Sequence, residues 1–141
     1  RWDSLGEFLA LSVSLDFYGN KNSNPKALVL AKSLDKATEE FLDKDKSPSR
    51  KVGELDTRGS HFYLALYWAK ALANQEEDIE LKTAFTALYN SLEKNCRQIE
   101  EELINAQGSP QDIGGYYKPD PLLVSSAMRP SKTLNLLLEQ I

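Results

Sequence analysis

Phe62, Leu64, Ala65, Leu66, Tyr67, Trp68, Ala69, Ala71, Leu72 and Ala73 form a run of helical length in which nearly every side chain is apolar. A helix without a polar face has to be covered on all sides, so the rest of the chain must supply the helices that wrap it. Alternation of apolar and polar residues with a period of two is nearly absent, apart from a short extended piece expected around Lys51-Val52-Gly53. These patterns predict a mainly α fold, a multi-helix bundle of about six helices. With 141 residues, 41% of them hydrophobic, residues 1–141 read as a single helical unit around one core.

Helix boundaries follow from capping chemistry. Ser4-Leu5-Gly6-Glu7 has the form of a capping box, and Leu5, Phe8, Leu9, Leu11, Val13, Leu15 and Phe17 then follow almost without charge. This first helix is expected to be buried all round and to stop at Gly19-Asn20 in a left-handed turn. Asn24-Pro25 opens an amphipathic second helix with Ala27, Leu28, Leu30, Ala31, Leu34, Ala37, Thr38, Phe41 and Leu42 on its inner side. The apolar run sits on a third helix starting at Asp56 or Ser60. A fourth is expected to run unbroken from the acidic Glu76-Glu77-Asp78 to Ile104 and to end at Gln107-Gly108-Ser109-Pro110. Asp120-Pro121 caps a short helix through Met128, and Pro130 opens a last one carrying Leu134, Leu137, Leu138 and Ile141.

Charge and cysteine usage narrow the function. A net charge of -4 with the cations dispersed offers no stripe for a polyanion, so nucleic acid is not an expected partner. No apolar run reaches the length of a membrane span, so no membrane is expected either. The one cysteine, Cys96, makes no internal disulfide, which suits the cytoplasm. The start at Arg1 without Met, and a helical pattern still running at Ile141, suggest a piece of a longer polypeptide.

The segment Ser47-Pro48-Ser49-Arg50-Lys51-Val52-Gly53-Glu54-Leu55-Asp56-Thr57-Arg58-Gly59-Ser60-His61 gathers cations, hydroxyls and glycines just before the apolar helix. Guanidinium groups and N–H groups at a helix start suit phosphate or carboxylate; a solvated basic connector ending in a helix cap explains the same residues. His61 is a minor candidate for donating to an anion, against a role in capping or in the core. Cys96 reads as a small core residue, Trp2 and Trp68 as core anchors, and Glu100-Glu101-Glu102 as a wet helix face. One His and one Cys supply no metal cluster. Gly114-Gly115 lacks the spacing of a dinucleotide fingerprint and reads as a turn, beside Tyr116 and Tyr117.

Several long phrases carry a resemblance. Arg1-Trp2-Asp3-Ser4-Leu5-Gly6-Glu7-Phe8, the stretch from Ser47 to Asp56, Arg58 to Trp68, Asp112-Ile113-Gly114-Gly115-Tyr116-Tyr117 and Ala127-Met128-Arg129-Pro130-Ser131 resemble the C-terminal part of the bacterial monomeric NADP-dependent isocitrate dehydrogenases. The resemblance covers the whole chain. It implies part of the larger domain of a two-domain enzyme that converts isocitrate to 2-oxoglutarate with NADP and Mg or Mn. It further implies that Arg1 and Arg50 hold the 2′-phosphate of NADP. A histidine of the same grip, the isocitrate-binding arginines, the metal carboxylates and the catalytic Lys and Tyr lie before Arg1 in that family. The segment alone is therefore expected to bind no metal and to be inactive, with the remainder of the parent chain as its partner. Without the resemblance, a helical interaction or scaffold module with a basic loop stays open. For Arg1 and Arg50 to share a phosphate, the first and third helices must start at the same end of the bundle.

Overall fold

Capping side chains start most of the helices in the computed structural model, which describes residues 5–139. In chain order these are α1 (Leu5–Lys21), α2 (Pro25–Asp43), α3 (Thr57–Asn74), α4 (Ile79–Lys94), α5 (Cys96–Asn105), α6 (Pro121–Met128) and α7 (Lys132–Leu138). The first turn of a helix leaves N–H groups without backbone partners, and short polar side chains accept them. Asn24 accepts from Ala27, Asp56 from Gly59, Asp78 from Leu81, and Asp120 from both Leu122 and Leu123. Each such cap contributes about 1 kcal/mol. The proposed capping box at Ser4 lies outside the described residues. Lys51-Val52-Gly53 is a turn rather than an extended piece, and no strand occurs among the described residues.

Helix α3 is the axis of the molecule, as its composition requires. It packs against α2, α4 and α5 and buries Phe62, Tyr63, Leu64, Leu66, Tyr67 and Ala69 among Leu34, Phe41, Leu92 and Ile99. The half-buried Trp68 donates its indole N–H to the carbonyl of Leu30 at 3.2 Å. Lys26 and Lys32 of α2 pair with Glu80 and Glu77 near the start of α4.

Helix α1 departs from expectation. Phe8, Ser12 and Gly19 turn inward, but Leu9, Leu11, Val13, Phe17 and Tyr18 face solvent, Val13 at 70% exposure. The reason is geometric: α1 rests on α2, and no other described helix covers its outer side. Gly19 does not stop the helix either. A Cβ built there would come 2.6 Å from Leu28 Cδ2, so its missing side chain lets α1 and α2 approach closely, and Ser23, with φ of 52°, makes the turn.

The long fourth helix is broken at Asn95 into α4 and α5. Asn95 donates its side-chain amide to the carbonyl of Ser91 at 2.8 Å, the local competition with the backbone to which asparagine is prone. Beyond the break, Ile99 and Leu103 are directed into the core. The last helix is capped by the buried Ser131, one residue beyond Pro130. Glu102 of α5 receives Ser131 Oγ at 2.6 Å, Thr133 N at 3.1 Å and Thr133 Oγ at 2.7 Å, fastening α7 to α5. Desolvation alone would raise the Glu102 pKa, but the bonds from Ser131 and Thr133, with Gln98, outweigh it and hold the carboxyl down to about 2.

Candidate functional site

Phe8, in the second turn of α1, meets the ring of His61 edge-on at a centroid distance of 5.2 Å and that of Phe41, near the end of α2, at 5.9 Å. The starts of α1 and α3 therefore lie together at one end of the bundle, as the antiparallel α2 between them dictates. This meets the geometric condition set by the sequence. Arg1 itself lies outside the described residues. Arg50 is exposed, and none of the described residues pairs with its guanidinium.

The loop carrying Arg50 is tightly closed. Ser49 N–H donates to the Leu55 carbonyl at 2.7 Å, and the Ser49 hydroxyl donates to Glu54. That bond, aided by the charge of Lys51 at 3.6 Å, holds the Glu54 carboxyl below its ordinary range, although burial pushes the other way. Lys51 is thus a surface ion pair rather than a free cation. Gln107 reaches the loop from beyond α5, accepting from Gly53 N–H and donating to the Glu54 carbonyl, both at 2.9 Å. Sequence reasoning read Gln107 only as a helix terminus; a partner more than fifty residues away leaves no local signal.

The other candidates at this end are committed elsewhere. Arg58 donates through Nε and one terminal nitrogen to Asp56 Oδ2, at 2.9 and 2.7 Å, and through the other to the Ala127 carbonyl at 2.8 Å. It ties the start of α3 to the end of α6. The Ser60 hydroxyl donates to the Lys46 carbonyl at 2.6 Å. His61 is exposed, its Nδ1 lies 2.7 Å from the Thr57 carbonyl, and a protonated Nδ1 donating to its own helix satisfies that contact. Beside them a mainly apolar cleft of about 390 Å³ opens between α3, α5 and the α6–α7 corner, with Phe62, Leu103, Met128 and Leu134 in its walls. No sequence signal marked it, because its walls come from four separate elements.

At the start of α5, Cys96 lies half-buried with its thiol 3.7 Å from the hydroxyl of Tyr63 of α3, which donates to Glu100 at 2.7 Å. Burial, reinforced by Glu100, pushes the Tyr63 hydroxyl well above its ordinary pKa. Lys46 Nζ lies 3.9 Å from the centre of the same ring. Gly114 and Gly115 both have positive φ, and Tyr116 and Tyr117 stand in solvent, so they need no buried polar partner.

Residues 1–139 match the family model of the monomeric isocitrate dehydrogenases. The chain belongs to the monomeric isocitrate dehydrogenase family. It is 62% identical over 135 residues to an isocitrate dehydrogenase (NADP) of Azotobacter vinelandii, covering 96% of this chain and 18% of that relative. It is 54% identical over its whole length to isocitrate dehydrogenase (NADP) 2 of Mycobacterium tuberculosis, and equally to that of Colwellia maris, covering 19% of each. The chain spans less than a fifth of the length of these curated relatives. Family membership and the all-helical fold both agree with the sequence reading.

Proposed function

We propose that this chain is the C-terminal helical part of an NADP-dependent isocitrate dehydrogenase, the enzyme that oxidises isocitrate and decarboxylates it to 2-oxoglutarate, and that it contributes recognition of the NADP 2′-phosphate. Family membership supports the parent activity. The observation that carries the local role is Arg50, an exposed cation without a described partner on a closed loop beside the start of α3. Arg1 and Arg50 each offer a planar fork of donors to the phosphate oxygens. Hydrogen bonds between charged groups contribute roughly 1.5–3 kcal/mol each, enough for the pair to favour NADP over NAD.

The remaining functions of the enzyme lie with the rest of the parent chain, which also brings isocitrate and the Mg or Mn ion. The ligands of that ion are assigned to the same remainder on the family resemblance, which places the metal carboxylates before Arg1. The cytoplasm is the compartment proposed, because the fold needs no disulfide at Cys96.

Arg50→Ser in the whole enzyme tests the reading. The KM for NADP rises by about tenfold or more, on the scale of one charged hydrogen bond, while that for isocitrate stays near its starting value. An equal rise in both would argue for a structural role. The isolated chain, given isocitrate, NADP and Mg, forms no NADPH. Binding of an acidic peptide with no preference for 2′-phosphorylated adenosine nucleotides would instead support an interaction module.

A further inference from the structure

The loop that presents Arg50 is held from outside by one side chain. Gln107 Oε1 accepts from Gly53 N–H and Gln107 Nε2 donates to the Glu54 carbonyl, each at 2.9 Å, so one planar amide engages two consecutive residues in opposite senses. Gly53 has a φ of 85°, a left-handed conformation that glycine adopts without steric cost. A second contact lies alongside. A Cβ built at Gly108 would come 3.2 Å from Val52 Cγ1, so the tip of the loop rests against the residue following Gln107. Within the loop, Ser49 N–H is bonded to the Leu55 carbonyl, and Glu54 N–H lies 3.4 Å from the Lys51 carbonyl. Arg50 thus stands on a small ring of backbone, and displacement of Gly53 and Glu54 displaces Arg50 with them.

We propose that Gln107 is a positioning residue for the coenzyme: it fixes the backbone of the loop, so that Arg50 is presented to the 2′-phosphate from an ordered base. This rests on the role given to Arg50 above. Gln107 acts without touching the coenzyme. Its effect comes from removing the ordering cost that a loose loop would incur each time NADP binds. Only an amide fills the role, because a carboxylate would retain the acceptor for Gly53 while facing the Glu54 carbonyl with a second acceptor.

The test uses the whole enzyme with Gln107→Leu, Gln107→Glu, Arg50→Ser and the double variant Gln107→Leu/Arg50→Ser. Gln107→Leu raises the KM for NADP about three- to tenfold, the scale of one or two neutral hydrogen bonds, with kcat and the KM for isocitrate unchanged. Gln107→Glu falls between it and the parent. Once Arg50 is Ser, removing Gln107 adds little, because its effect passes through that side chain. Hydrogen exchange at the Gly53 amide, read without turnover, speeds up in Gln107→Leu. If Gln107→Leu leaves the KM for NADP unchanged while Arg50→Ser raises it, the positioning role is overturned and the reading of Arg50 survives. Fully additive effects overturn it as well. If Arg50→Ser has no effect on NADP, both fall together.

Discussion

Asp56 and Arg58, two residues apart at the start of α3, share a single carboxylate. Its Oδ1 accepts the Gly59 N–H at 3.0 Å and caps the helix, while its Oδ2 receives two donors from the Arg58 guanidinium at 2.9 and 2.7 Å. The pair is largely shielded, with side-chain exposures of 18% for Arg58 and 26% for Asp56. Removing Asp56 takes away the cap and leaves the cation without its counterion. Asp56→Ala should destabilise the chain by about 2 kcal/mol, read as a lower urea midpoint with an unchanged slope. Asp56→Asn, which retains the cap, should lose less.

The core should be sensitive to polar or smaller side chains and the outer face of α1 nearly indifferent to them. Leu34 is fully buried between α2 and α3, so Leu34→Ala should cost about 2–5 kcal/mol through lost burial and a residual cavity. Val13 is 70% exposed, and Val13→Ser in the isolated chain should change its stability by less than about 0.5 kcal/mol. Thermal unfolding of both variants makes the comparison.

Acid should loosen the fastening of α7. The Glu102 carboxyl, held at about 2 in the folded chain against an ordinary 4.5, contributes stability that is fully present above pH 4.5 and is lost as the pH falls from there through about 2. In Glu102→Gln this part of the acid dependence should disappear. Unfolding followed at intervals between pH 5 and pH 2.5 should show a shallower decline for the variant than for the parent. A parallel decline would count against the carboxylate as its source.

Gly114 has a φ of 78°, and a Cβ added there would stand 2.9 Å from the Asp120 Cβ. Gly114→Ala should therefore cost about 1–2 kcal/mol and speed hydrogen exchange at Asp120 N–H, which donates to the Ile113 carbonyl at 2.7 Å. Tyr117→Ser, at a side chain almost wholly in solvent, should leave both measurements where they were.

Local chemistry written into the sequence located most of the helices. Asn24-Pro25, Asp56 and Asp120-Pro121 mark starts that the structure uses, and the apolar run from Phe62 to Ala73 identified α3 as the central helix. What was not legible depended on distant partners. The outward face of α1 carries the same apolar residues that burial would demand, so composition could not reveal which side α2 takes. The break at Asn95 turns on one side-chain amide competing with an otherwise regular pattern. At the candidate site, the cluster of cations was evident, but the structure divides them: Arg58 is committed to Asp56, Lys51 is paired with Glu54, and Arg50 is left facing solvent. The hold of Gln107 on the same loop spans too much sequence for any motif to encode.

The turn at Asn22-Ser23-Asn24 has a practical consequence. Helix α1 has 17 residues, a length of roughly 25 Å, and this turn closes the end remote from Phe8, His61 and the Arg50 loop. Ser23 is exposed and already adopts a left-handed backbone. A thiol introduced there for a dye, or for immobilisation on a sensor chip, would leave the opposite end unobstructed and would let nucleotide titrations report on that end alone.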